Sequence, residues 1–358
     1  MPLVAHNDLP TFERLRKRGH NILTLEEARQ QNNRELHIGL LNMMPDAALT
    51  ATEQQFMGLV GSSNVNSRLY VYPFSIPELN RNAQTDRHID RYYFEFENLA
   101  ERGLDALIIT GANVVTPLLD REPIWMPLIA VADWAEKHCA STLCSCLASH
   151  ALIKHSYQID RRHLPLKQWG VYSHEVVRPE HPLMSGVETR FDAPHSRWNE
   201  VTRSQLEQAG LTILVDSAQV GVHMAVSPDQ FRVVYTQGHP EYDANSLLKE
   251  YKREVFRFLN GELEAAPPYP ENYLSSQAIE VANRYIEEGL RASSSSNSLP
   301  DFPENEMAAH TTNAWRDTGK AIVSNWLNLI HELTNSDRRL QYAPGVDPKD
   351  PLQQLSEP

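Results

Sequence analysis

Four short apolar runs recur along the first half of the chain, at residues 36–42, 68–73, 105–110 and 141–145, and helical patterns over 48–60, over 125–138 and from 146 onward separate or follow them. Strands that read as unbroken apolar runs are buried on both faces, and their alternation with helices implies a parallel, doubly wound α/β sheet. Ligands of such sheets gather at the carboxyl ends of the strands. Two of those ends carry unusual residues: Gly111-Ala112-Asn113 follows the third run, and Cys146 follows the fourth.

Cys146 therefore sits on a sharp strand-to-helix corner, a nucleophile elbow. A thiol there lies beside the positive end of a helix dipole, which makes its sulfur nucleophilic at neutral pH. The orphan N–H groups of the first helical turn point the same way, and Leu147 N–H is the donor placed to hold the charge that develops when the sulfur attacks a carbonyl. The competing reading is packing, because cysteine is among the most buried residue types and suits a tight turn. The segment by itself leaves both open.

Composition narrows the partners. A net charge of −13 over 358 residues advertises no basic face for nucleic acid or an anionic membrane, so a polyanionic cosubstrate would need a local basic site. Cys139, Cys144 and Cys146 stand too close together for a disulfide framework, and no Cys/His spacing suggests zinc, so no metal is expected. The N-terminus shows no basic and apolar leader and no run reaches membrane-spanning length, which points to the reducing cytoplasm.

Residues 1–35 read as a solvated arm with one short helix at 25–31. The stretch 160–210 looks irregular, rich in His, Pro and Arg. Runs at 211–215, 220–226 and 231–236 suggest an antiparallel extension of the sheet, and a helix over 244–259 follows. Extra helices come after it: one with apolar Ile279, Ala282, Ile286 and Leu290, a serine-rich linker at 293–300, and a last helix over 315–333 whose face carries Ile322, Val323, Trp326, Ile330 and Leu333. Residues 336–358 read as a loose polar tail.

A thiol nucleophile needs a base, and the base needs an orienting group. Among fifteen histidines, His239 has a distinctive setting: it follows a buried strand, Gly238 lets the backbone turn, Pro240 fixes the next residue, and Glu241 lies two positions on. A carboxylate so placed can hold one ring nitrogen while the other faces the thiol. A plain loop histidine is the alternative.

Five motifs then occur in order: Leu41-Asn-Met-Met-Pro45, Ile108-Ile-Thr-Gly-Ala112, Ala193-Pro-His-Ser-Arg-Trp198, Thr236-Gln-Gly-His-Pro-Glu-Tyr-Asp-Ala244 and Ser324-Asn-Trp-Leu-Asn328. Together they resemble the homoserine O-succinyltransferase/O-acetyltransferase family of methionine biosynthesis, over about residues 36–335. The resemblance implies a flavodoxin-like sheet of the class I glutamine-amidotransferase kind. It makes Cys146 the acyl-accepting nucleophile and completes a triad with His239 and Glu241. It implies that Lys167, Ser196 and Arg253 contact substrate, roles that bare sequence would not assign to them. It further implies an oxyanion hole from Leu147 and the loop Ala112-Asn113, and no cofactor beyond an acyl-CoA cosubstrate.

The same resemblance implies L-homoserine as acceptor and a homodimer. A glutamate four positions past Gly111 goes with acetyl-CoA in this family, and a small neutral residue with succinyl-CoA. Val115 stands there, which removes a charge that would repel succinate; Ser196 is the second position implied in acyl choice. Succinyl-CoA is thus the expected donor and acetyl-CoA the alternative. Asp46 and Ala47 replace the paired lysines often found after the Met-Pro, Asn113 replaces a proline, and 270–310 is a longer insert than usual. Glutamine amide hydrolysis by the same triad remains a second enzyme class, against which stand Ser145 and Leu147 where amidotransferases usually place glycine. A ligand sensor is the non-enzymatic reading.

Overall fold

The computed structural model describes residues 2–114, 116–294, 298–311 and 313–353. In chain order they form β1 (Leu3–Ala5), α1 (Pro10–Lys17), β2 (Ile22–Thr24), α2 (Leu25–Arg29), β3 (Glu35–Leu41), α3 (Asp46–Gly61), β4 (Arg68–Phe74), α4 (Ala83–Tyr92), α5 (Phe96–Arg102), β5 (Ala106–Ile109), α6 (Trp125–His138), β6 (Ser141–Ser145) and α7 (Leu147–Tyr157). Then come β7 (Arg162–Val176), β8 (Arg190–Glu200), α8 (Arg203–Gln208), β9 (Thr212–Asp216), β10 (Met224–Val226), β11 (Val233–Thr236), α9 (Ser246–Leu259), α10 (Ser276–Ser294), α11 (Glu304–Ala308) and α12 (Arg316–Leu333).

The strands form one sheet in the order β2-β1-β4-β3-β5-β6-β11-β10-β9-β7-β8. Neighbours from β2 to β11 are parallel, and every pairing beyond β11 is antiparallel, so the expected mostly parallel α/β sheet with an antiparallel extension is what forms. Strands β5 and β6 are buried throughout, as their unbroken apolar runs require. Helices α1, α3 and α12 cover one face through Phe12, Leu15, Phe56, Met57, Trp326 and Ile330. On the other face α5, α6 and α7 bring Leu99, Leu128, Ala148 and Leu152. The indole N–H of Trp326 donates to Ser141 Oγ at 2.8 Å, so even the largest buried ring leaves no orphan donor. Chain order reverses between β4-β3 and β5-β6, and the ends of β3 and β5 deliver Met44 and Gly111 to that switch point.

Three readings change. Residues 3–29 are no solvated arm: β1 pairs with β4 and β2, and Leu3 and Val4 are fully buried. Their charged neighbours Arg14, Arg16 and Lys17 face out from α1 while Phe12 and Leu15 face in. Most of 160–210 is ordered as the long antiparallel pair β7–β8. Pro165 and Pro194, a register shift between His163 and Gln168, and one exposed side hide its alternation. The polar tail also docks as far as it is described: Tyr342 OH donates to Ala140 O at 2.9 Å, and Gln341 to Cys139 O at 2.8 Å. Part of the serine linker lies outside the described residues. Pro73 sits inside β4; β1 pairs with β4 only at Leu3–Leu69, so no donor is demanded of Pro73 on that side.

The extra helices have a structural task. α10 presents Ala278, Val281, Ala282 and Tyr285 at helical spacing to Leu248, Tyr251 and Val255 of α9, with Trp169 of β7 in the same cluster. They hold α9 against the sheet, and α9 carries part of the site.

Candidate active site

Cys146 is the single residue between β6 and α7, and its backbone is left-handed, with φ 52° and ψ −109°. That conformation costs a non-glycine residue about 1–3 kcal/mol and persists only where the surroundings enforce it. Here β11 does so. Cys146 N–H donates to Thr236 O at 2.8 Å, Ser149 Oγ is 2.9 Å from both Cys144 O and Thr236 O, and Thr236 Oγ1 donates to Cys144 O at 3.1 Å. The corner leaves the Cys146 side chain partly exposed, while Cys139 and Cys144 are buried and burial pushes both of their thiols far up.

β11 also delivers the base. His239 Nδ1 lies 2.8 Å from Glu241 Oε1, and Ser145 Oγ donates to the same oxygen at 3.3 Å. Cys146 lies on the other side of the ring, near enough for its sulfur to act on the imidazole. Burial is the largest single influence on His239 and opposes its charge, but Glu241 and the sulfur together outweigh it and raise the pKa well above 6.5. Tyr242 stacks on the ring, centroids 4.3 Å apart, and His239 N–H donates to Pro194 O at 2.9 Å. The three residues that the sequence picked out thus meet, although Cys146 and His239 lie far apart in the chain.

Lys167 and Ser196 also meet, around a carboxylate that the sequence did not single out. Glu250 accepts from Lys167 Nζ at 3.2 Å, Ser196 Oγ at 2.5 Å and Tyr242 OH at 2.7 Å. Burial alone would raise its pKa; Lys167 and the two hydroxyls outweigh burial and hold it below the usual glutamate value. Arg253 is one turn along the same helix, exposed and paired with Glu254 at 3.0 Å, free to swing onto a ligand. A Cβ placed on Gly111 would lie 3.7 Å from both Cys146 Cβ and Met44 Sδ, so the loop that continues into Ala112 and Asn113 starts beside Cys146. Val115 lies outside the described residues. Helical spacing from Arg253 was the only sequence signal for Glu250, and nothing local marked it as buried.

Behind His239 stand His174, His195 and His223, all buried, with ring nitrogens within 4.8 Å of one another, a set that could in principle hold a metal ion. The hydrogen bonds argue otherwise. Arg197 Nε can only donate, and it donates to His195 Nδ1 at 3.2 Å, so a neutral His195 carries its proton on Nε2. That proton points to His174 Nε2 at 3.0 Å, and His174 Nδ1 donates to Tyr172 O at 2.8 Å. A metal on His195 Nε2 would leave Nδ1–H facing the Arg197 N–H, so this donor set does not fit an ion. Burial first, then neighbouring positive charge, keeps His195 and His223 well below the usual histidine value, and burial brings His174 to about 4. They form a neutral floor.

Gly238 rests on that floor: a Cβ there would stand 2.6 Å from His223 Nδ1 and 2.8 Å from His195 Nε2. Gly238→Ala is expected to cost about 1–3 kcal/mol of stability by overpacking and to displace His239, lowering kcat at least tenfold in assays of soluble protein. Unchanged Tm and kcat would refute the close fit.

The fold and this constellation define an α/β enzyme class with a strained cysteine on an elbow, a histidine from the neighbouring strand and an orienting carboxylate. More particularly, the chain belongs to the homoserine O-succinyltransferase family, a family of acyltransferases, whose model matches residues 2–336. Homoserine O-succinyltransferases of Methylococcus capsulatus and Thiothrix nivea are each 53% identical to it over 352 residues, covering 98% of this chain and 99% and 98% of theirs. A glutamine amidotransferase structure from Methylobacillus flagellatus covers 88% of this chain and 98% of its own, at a TM-score of 0.46 and 14% identity, too distant to carry argument. The fold assignment rests on the sheet itself. Among the described residues no helix is long and apolar enough to cross a membrane.

Proposed function

We propose that this chain transfers a succinyl group from succinyl-CoA to the γ-hydroxyl of L-homoserine through a thioester on Cys146. The supporting observation is the meeting of Cys146, His239 and Glu241 at the switch point of a chain so close over its whole length to relatives of that name. The Cys146 sulfur attacks the donor's thioester carbonyl, and Leu147 N–H with a backbone donor of the Ala112-Asn113 loop holds the oxyanion. The intermediate collapses with release of CoA, whose sulfur takes the proton from His239. Neutral His239, oriented by Glu241, then removes the proton of the homoserine hydroxyl as that oxygen attacks the Cys146 thioester. Collapse releases the ester and restores the Cys146–His239 pair. No other group is required.

In this reading Arg253 grips the α-carboxylate of homoserine in a bidentate pair, and Glu250 faces its ammonium. Arg253→Met is expected to raise the homoserine KM by about 10–100-fold with kcat little changed; an unchanged KM would remove Arg253 from the acceptor site. Two half-reactions on one sulfur demand parallel lines in double-reciprocal plots, and convergent lines would exclude the thioester. Specificity constants for succinyl-CoA and acetyl-CoA measured side by side test the donor: an acetyl preference overturns that part of the proposal. Light scattering tests the homodimer.

A further inference from the structure

A cavity of about 510 Å³ lies between the first turns of α3 and one face of α9. One wall is low and apolar: Met44 and Pro45, then Ala47, Ala48 and Ala51 at helical spacing. The other wall is cationic. Lys249, Lys252, Arg253 and Arg257 line it at three- and four-residue intervals along α9, with Phe256 among them, against the carboxylates of Glu250 and Glu262.

These cations are available. Among the described residues no carboxylate lies within ion-pair distance of Lys249. Lys252 meets Glu304 at 2.8 Å and Arg257 meets Glu254 at 2.8 Å and Glu262 at 3.3 Å, all solvent-reached pairs of the weak kind that exchange for a more highly charged ligand. In a chain of net charge −13, such a strip is the local basic site that a polyanion needs. At the inner end Met44, Tyr242 and Glu250 belong to both cavity and catalytic chamber: Tyr242 stacks on His239, and Met44 Sδ and Cys146 Cβ flank the same face of Gly111. The groove therefore adjoins the triad through Met44 and Tyr242 and carries the cations along its other wall.

We propose that the groove between α3 and α9 receives the donor's long arm, its amide and methylene chain against the alanine wall and its phosphates on Lys249, Lys252 and Arg257. Arg253, nearest Glu250, is left for the acceptor. The assignment rests on the acyl-CoA reading of the site. It places the basic contacts on α9, opposite the first turn of α3, in which Asp46 and Ala47 offer none.

The test is calorimetric titration of the full chain with coenzyme A and with pantetheine, which lacks the phosphorylated nucleotide. Lys249→Glu and Arg257→Gln, both at exposed positions, are expected to weaken coenzyme A by about tenfold each, to flatten its salt dependence, and to leave pantetheine unchanged. Lys320→Glu, in the separate cavity lined by Arg18, Arg316 and Lys320, is the control and should bind coenzyme A as the unaltered chain does. Unchanged coenzyme A affinity in both α9 variants, an equal loss for pantetheine, or loss in Lys320→Glu instead would overturn the groove. Because binding is read without turnover, a chain that binds coenzyme A in this way yet takes no acyl group onto Cys146 would refute the acyl-transfer reading and uphold the groove.

Discussion

Cys146→Ala protein mixed with succinyl-CoA is expected to keep its own mass, whereas the unaltered chain gains one succinyl group, and kcat should fall by about 10⁵-fold or more. The reason is that, among the described residues, Cys146 is the one cysteine that is not buried, whereas Cys139 and Cys144 are buried thiols, and His239 is held by Glu241. An adduct that survives in Cys146→Ala would place the acyl group elsewhere. A companion variant separates chemistry from strain. Alanine suffers at φ 52° and ψ −109° as cysteine does, so Cys146→Ala should leave Tm nearly unchanged. Cys146→Gly should be equally inactive yet more stable by about 1 kcal/mol, because glycine accepts that backbone. A glycine variant less stable than the alanine variant would mean that the elbow stores no strain.

Glu241→Gln should lower kcat by about 10²–10⁴-fold, in line with losses seen when a triad loses its orienting charge. Glutamine keeps an oxygen near His239 Nδ1 but removes the charge that does most to hold a proton on the ring. A second signature appears in stability against pH. His239 has its folded pKa raised, so its contribution is fully present below about pH 6.5 and is lost as pH rises through the folded value. In Glu241→Gln the folded value drops, so the contribution is smaller and vanishes at lower pH. The Tm gap between the two proteins should therefore be wide in mildly acidic solution and close toward alkaline pH. A gap that widens toward alkaline pH would mean that His239 is neutral in the resting site.

The distribution of what could be read in advance follows from the range of the interactions. Strands β5 and β6 and helix α6 were clear because each is a local pattern: unbroken apolar runs for strands covered on both faces, a periodic stripe for the helix. Cys146 and the Gly-His-Pro-Glu turn were visible because elbow and turn are built from consecutive residues. The segment 3–29 was misread because its polarity describes only its outer side, while buried Leu3 is committed to a strand partner more than sixty residues on, at Leu69. The β7–β8 pair was missed because ladder partners such as Gly170 and His195 recognise each other across the sheet, and no local period records that.

Sequence by itself determined the alternation of strands and helices, the elbow, the choice of Cys146, His239 and Glu241 as the candidate triad, and, through five ordered motifs, the family. Tertiary structure alone decided that Cys146 and His239 come together, since that depends on β6 and β11 lying side by side. It alone decided that Lys167, Ser196 and Tyr242 converge on Glu250, and that three histidines floor the catalytic turn as neutral rings. The physical reason is common to these cases. Charge and hydrogen-bond direction are set by burial and by neighbours within a few ångströms, and those neighbours come from segments that meet only when the sheet is complete.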